Sequence, residues 1–178
     1  IISSVPIIIF GYLLVQFDLI EKLRNFEVIG WMTIIFGVFL YLADKTKIDR
    51  NIEDHFNFKA VILIGLFQVL ALIPGVSRSG ITISAARIFK FNRQDSIKIS
   101  FLLAIPTLLS VSFFNIFKLY RANDLSLSIE NIFAITMSFI FSFFTIKYFF
   151  TFIKKYSFKI FVYYRLALGF LILIFYYL

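Results

Sequence analysis

Polar residues in this 178-residue chain come in short clusters, and the stretches between them are nearly continuous apolar runs. The runs fall near 1–17, 27–43, 57–73, 80–90, 96–119, 129–153 and 159–178. At about 1.5 Å of rise per helical residue, most are long enough to cross roughly 30 Å of hydrocarbon. The run at 80–90 is too short, and Pro74-Gly75 separates it from 57–73. The pattern predicts an all-α integral membrane protein. For 57–90 it leaves two alternatives: two separate crossings, or one re-entrant hairpin that enters and leaves on the same side.

Loop charge discriminates between them. A hairpin puts Lys45, Lys47, Arg50, Lys59, Arg87, Lys90, Arg93, Lys98, Lys154, Lys155 and Lys159 on one side, against Lys22, Arg24, Lys118 and Arg121 on the other. That is eleven against four, whereas two separate crossings give nine against six. Cytoplasmic loops collect Lys and Arg, so the count favours the hairpin, with its mouth cytoplasmic and the C-terminus outside. The expected architecture is about five full spans plus one hairpin. No linker exceeds about 13 residues, so 1–178 reads as a single membrane domain. The chain opens on Ile1-Ile2 and enters directly into an apolar run, from which we expect a fragment lacking an upstream part.

Composition agrees. Hydrophobic residues make up 61% of the chain, aromatics 20% and charged residues 16%, with a mean hydropathy of +0.93. The formal charge of +8 does not indicate nucleic acid, because the basic residues sit in short loops between apolar runs. With no cysteine, disulfides and thiolate chemistry are excluded, and a single histidine excludes a His-rich metal site within this chain. That histidine, His55, lies in the polar stretch "DKTKIDRNIEDHF" without a visible catalytic partner and reads as an interface loop residue. The aromatic crowd "YYRLALGFLILIFYY" reads as lipid-facing bulk and interface belt.

One stretch departs from this pattern: "QVLALIPGVSRSGITISAAR", residues 68–87. Pro74 disfavours helix at Ile73, and Gly75 tolerates left-handed backbone, so a first half-helix should stop there. A second should begin just after, with Ser77 or Ser79 as its N-cap. Irregular backbone at membrane depth is tolerated only inside protein or along a polar cavity, so the break reads as a site. Its chemistry is anion-directed. A helix N-terminus presents free N–H groups, Arg78 offers a fork matched to phosphate oxygens, and Ser77, Ser79 and Thr82 add hydroxyls. The plainer alternative is that Arg78 pairs with a distant carboxylate and the small residues permit close helix packing.

The spelling "QVLALIPGVSRSGIT" resembles the P-G-x-S-R-S-x-x-T motif of the undecaprenyl-diphosphate phosphatase family, the bacitracin-resistance type. "ISFLLAIP" at 99–106 resembles the family's F-S-F-L-L-A-I-P segment. "SFKIFVYYRLALG" at 157–169 resembles its F-x-x-F-x-x-Y-R-x-x-L-G ending, so the likeness runs over nearly the whole chain. The resemblance implies hydrolysis of undecaprenyl diphosphate to the monophosphate carrier of cell-wall precursors, in a multi-pass protein of the bacterial inner membrane that confers bacitracin resistance. It implies an interdigitated inverted repeat in which 57–90 is the second re-entrant pair, and it leaves a homodimer open. By match to the motif, Arg78, Ser77 and Ser79 become catalytic candidates, and Thr82, Gly75, Gly80 and Gln68 substrate-binding ones. The nucleophile stays open between Ser77, Ser79, a water and a residue outside this chain.

The chain also departs from the family pattern. The family's first repeat carries Q-G-x-x-E-x-x-P and an S-S-S-G-H loop, and neither occurs here. Ala71 and Pro74 to Gly80 occupy the corresponding stretch of the second repeat. All ten acidic residues fall in loops or at span ends, so no hard oxygen ligands for Mg or Ca lie on the hairpin. The expected divalent cation would draw its ligands from the missing N-terminal part, and this chain alone is expected to be inactive. A transporter or flippase for an anionic lipid or small anion is the alternative, since broken helices also bind anions in carriers. A phosphohistidine mechanism would need a histidine after the Ser-Arg pair, and His55 precedes it.

Overall fold

A computed structural model describes residues 2–17, 23–47, 50–55, 58–121 and 129–178. Eight α-helices occur among the described residues: α1 (Val5–Gln16), α2 (Phe26–Asp44), α3 (Ile52–His55), α4 (Phe58–Val69), α5 (Arg78–Ile88), α6 (Arg93–Arg121), α7 (Ile129–Lys155) and α8 (Lys159–Tyr177). Short 3₁₀ turns precede α1 at Ile2–Ser4 and follow α4 at Leu70–Leu72. No strand occurs among the described residues; an isolated parallel bridge joins Arg50 and Phe91. The elements follow the apolar runs to within a few residues at each end.

Four helices are long and apolar enough to cross a membrane: α2, α6, α7 over Ile129–Ile153, and α8. Helix α1 with its 3₁₀ turn and helix α4 with its own are apolar but shorter. The chain forms two compact units, one of 1–107 with 157–178 and one of 108–156. In the second unit, α7 exposes Phe133, Phe139, Phe141 and Phe143, an apolar surface of the kind lipid covers. The side chain of His55 lies outside the described residues.

The first unit is organised around two helix pairs. Helices α2 and α8 run antiparallel. Tyr177 near the end of α8 donates to Glu27 Oε1 near the start of α2 at 2.7 Å, while Arg165 meets Gly37 further along. Glycines make the contact close: a Cβ on Gly169 would stand 2.6 Å from Ile34 Cγ1, and one on Gly30 2.6 Å from Leu173 Cδ2. Helix association in lipid is driven by such packing and not by expulsion of water, which is why small residues line this seam.

The second pair is α4 and α5. Ala60 at the start of α4 shares a core cluster with Ala85 and Ala86 at the end of α5, together with Ile64, Phe91, Ile99 and Leu103. The two helices are therefore antiparallel. At 12 and 11 residues they rise about 18 Å and about 16 Å, each well short of a bilayer's hydrocarbon thickness.

Asp44 fixes the open end of this pair. Its carboxylate accepts both Nε and Nη2 of Arg93 at 2.8 Å, and Arg87, 1% exposed, gives Nη2 to the Asp44 carbonyl at 2.8 Å and to that of Thr46 at 3.1 Å, and Nη1 to that of Phe91 at 2.7 Å. Burial pushes the Arg87 pKa down from its ordinary value and the Asp44 charge opposes it.

Glycine positions yield a packing test. A Cβ on Gly65 of α4 would run into the Ser3 backbone, whereas one on Gly11 of α1 would meet only Leu72 Cδ2, at 3.5 Å. Gly65→Ala is expected to destabilise the protein by about 1–3 kcal/mol through overpacking. Gly11→Ala should be neutral or gain up to about 1 kcal/mol from helix propensity. Thermal unfolding in detergent reads the difference, and equal midpoints for the two variants would contradict this packing.

Candidate functional site

The loop between α4 and α5 is built from restricted residues. Ile73, held extended by the following proline at φ −78° and ψ 124°, ends the 3₁₀ turn. Gly75 has φ +91° and lies against α2, where a Cβ would stand 2.5 Å from Ile29 O and 3.1 Å from Thr33 Oγ1. Val76 is fully buried and donates its N–H to Ile73 O at 3.3 Å. Ser77 then takes φ 65° and ψ 113°, a sparsely populated region for a residue with a Cβ, at a cost of order 1–3 kcal/mol. Its side chain caps α5 by accepting from the Gly80 N–H at 3.3 Å, so of the two serines expected as N-cap, Ser77 takes the role.

Arg165 holds this loop from α8. It donates Nη2 to Gly75 O at 2.7 Å, Nη1 to Val76 O at 3.1 Å and Nε to Thr33 O at 3.3 Å. These bonds bring the loop, α2 and α8 together at one point. Arg165 belongs to the stretch read from the sequence as lipid-facing bulk. The signal that marks it is an arginine in the middle of an apolar 19-residue helix, where a cation costs about 2.5–3.5 kcal/mol on insertion scales and needs a use.

Behind the hairpin, one face of α6 supplies its polar contacts. Ser100 Oγ lies 2.7 Å from Thr82 Oγ1, Ala104 O accepts from Arg78 Nη1 at 3.3 Å, and Thr107 Oγ1 accepts from Gln68 Nε2 at 2.8 Å. Positions 100, 104 and 107 are one helical turn apart and share a face. Thr107 also donates to Leu103 O at 2.9 Å and approaches Ser4 Oγ at 3.3 Å. Gln68 is fully buried, and its Oε1 has no hydrogen-bond partner among the described residues.

The seven residues singled out from the sequence thus divide. Ser77 and Ser79 are exposed, and Arg78 is partly buried with one recorded hydrogen bond, to Ala104 O. These three, with Gly80 on the first turn of α5, surround the helix N-terminus. Gly75 lies in the same loop but spends its carbonyl on Arg165. The Thr82 hydroxyl, 1% exposed, is turned into the protein, bonded to Arg78 O, Ser79 O and Ser100. Gln68 is held in the interior by α6. The arrangement offers an anion the N–H groups and positive dipole end of α5, a guanidinium fork with donors to spare and two accessible hydroxyls.

Buried pairing at Thr82 is testable by itself. Thr82→Val should cost about 1–3 kcal/mol because it leaves the buried Ser100 hydroxyl without that partner. Adding Ser100→Ala should recover part of the loss. Strictly additive effects in thermal unfolding would mean the two hydroxyls are not coupled.

The chain is similar to known proteins along nearly its whole length. Residues 1–171 match the family described as "Bacitracin resistance protein BacA". An undecaprenyl-diphosphatase of Pelagibacter ubique is 49% identical over 175 residues, covering 98% of this chain and 68% of that protein. Undecaprenyl-diphosphatases of Elusimicrobium minutum and a Jannaschia species are 39% and 34% identical, each over 98% of this chain and 65% of the relative. The chain thus spans about two thirds of the length of these curated relatives, and over that span it belongs to the bacitracin-resistance BacA family.

Proposed function

We propose that this protein is an undecaprenyl-diphosphate phosphatase of the bacterial inner membrane, releasing inorganic phosphate and returning the monophosphate lipid for cell-wall synthesis. The observation that carries the reading is the Ser77–Arg78–Ser79 triplet at the start of α5, in which the two serines are exposed and the partly buried Arg78 makes one hydrogen bond, to Ala104 O. The names of the relatives point to the same substrate. In this reading Arg78 binds oxygens of the terminal phosphate bidentately. Charge that builds on them as the anhydride bond breaks is met by a preorganised cation and by backbone N–H groups. Ser77 and Ser79 hydrogen-bond the diphosphate or supply the attacking oxygen.

A divalent cation is part of what the family likeness implies, but the described residues do not fit one. Glu27 is engaged by Tyr177, Asp44 by Arg93, and Asp95 by Asn92 and the Ile52 N–H. No cluster of three or more His, Cys, Asp or Glu side chains capable of holding a metal occurs among the described residues.

The short antiparallel helices α4 and α5 support the hairpin reading of 57–90, in which the pair dips into the bilayer and returns. Helices α2, α6, α7 and α8 are long enough to be spans in this reading, while α1, no longer than α4, counts as the fifth on the loop-charge argument and not on its length. The relatives' family and the two half-helices also support the inverted-repeat reading.

Two experiments test these proposals. In the purified full-length protein, Arg78→Lys should lower kcat for phosphate release from undecaprenyl diphosphate roughly 100-fold or more with expression retained, since lysine keeps the charge but loses the fork. Near-normal turnover, or movement of the intact lipid without phosphate release, would overturn the assignment. For the topology, single cysteines can be placed at Lys59, Gln94 and Arg121, because the chain has none of its own. An impermeant thiol reagent added from outside should label position 121 and neither 59 nor 94. Labelling at 94 without 59 would mean that the segment crosses as two separate spans.

A further inference from the structure

The three hydrogen bonds of Arg165 all go to main-chain carbonyls, those of Thr33, Gly75 and Val76. The residue is therefore placed to hold backbone. Two of its acceptors are consecutive, and they lie between the two positive-φ residues of the loop, Gly75 and Ser77. In a trans peptide the C=O and the following N–H point to opposite edges. Turning the Gly75 and Val76 carbonyls toward α8 therefore turns the N–H groups of Val76 and Ser77 the other way. Val76 uses its N–H on Ile73 O, and the next N–H, that of Ser77, faces away from Arg165.

The guanidinium also lies under the first turn of that helix. A Cβ on Gly80 would stand 3.1 Å from Arg165 Nη1 and 3.2 Å from the capping Ser77 Oγ. The absence of a side chain at Gly80 leaves the room that Arg165 occupies. A planar fork with fixed donor directions can hold two successive carbonyls at once, which a flexible ammonium cannot reproduce.

We propose that Arg165 is a positioning residue for the anion-binding loop: it holds Gly75 and Val76 so that Ser77 keeps its strained conformation and Ser77, Arg78 and the α5 N-terminus stay aimed at the phosphate. Its effect on turnover rests on the phosphatase reading, whereas its effect on the loop does not. Arg165 acts through backbone, so its loss should lower kcat and leave lipid binding nearly unchanged. A side chain that bound the lipid's phosphates directly in the ground state would raise KM as well as lower kcat.

The experiment combines both readouts on full-length protein in nanodiscs. In Arg165→Ala, amide hydrogen exchange should rise over residues 75–80 and stay unchanged in α2 away from Thr33. The kcat for undecaprenyl diphosphate should fall about 100-fold, the size of loss a misplaced catalytic group produces. KM should stay within about threefold. Millimolar guanidinium should restore part of kcat in Arg165→Ala, and Arg165→Lys should remain impaired. Unchanged exchange over 75–80, or a raised KM with kcat intact, would overturn the proposal. A wild-type protein that releases no phosphate would sink the phosphatase reading alone, leaving exchange to decide on Arg165. Gly80→Ala keeps the arginine and crowds Nη1, so it serves if Arg165→Ala fails to accumulate. It should show the same exchange signature, and normal exchange with normal kcat there would overturn the proposal equally.

Discussion

A chain that breaks its helix in apolar surroundings must find partners for the backbone groups it frees, and here one guanidinium provides them. Between the 3₁₀ turn at Leu70–Leu72 and the cap at Ser77, the carbonyls of Gly75 and Val76 lie outside any helical ladder, and Arg165 takes both. Without that donor the Val76 carbonyl would lose its bond from α8, and that of Gly75 would keep only the longer 3.4 Å contact from Thr33 Oγ1, each loss costing about 1–3 kcal/mol. Other features follow from the same contact. Gly37 and Gly80 leave room for the arginine, and the α2–α8 seam brings it within reach of the loop. Burying a cation in α8 becomes tolerable because its charge is spread over three carbonyl dipoles.

The three segments by which the chain resembles its family therefore meet in space. The Pro-Gly loop and the first turn of α5 form the mouth. The segment "ISFLLAIP", extended by Thr107, lines the back through Ser100, Ala104 and Thr107. The segment ending in Gly169 delivers Arg165 and the close seam with α2. None of the three would form the site alone, since each contributes polar groups that only the others can satisfy.

What could be read from the sequence follows the range of the interactions. Helix limits, the break at Pro74-Gly75 and a cap at either Ser77 or Ser79 depend on neighbours within a few residues, and all were legible. The sequence also pointed to Ser77, Arg78 and Ser79, which the structure brings together at the start of α5, the two serines exposed and Arg78 partly buried. The inward turn of Thr82 was not, because its partner Ser100 lies 18 residues away on another helix. Arg165 escaped for the same reason at greater distance: its acceptors are 89, 90 and 132 residues away in the chain. The unusual backbone at Ser77 was also hidden, since serine composition carries no sign of a positive φ that tertiary contacts impose.

The ion-paired end at Asp44 has a mechanical consequence. Helix α5 and the loop that leads into it are fastened to α2 at two points, through Arg87 at the Asp44 carbonyl and through the loop residue Gly75 at Ile29 and Thr33. Asp44 and Thr33 are separated by 11 residues of α2, about 16 Å of rise. A strut pinned at two points that far apart cannot swing about either one. A displacement of Asp44 at one end of α2 is therefore expected to reach Ser77 and Ser79 at the other end of α5.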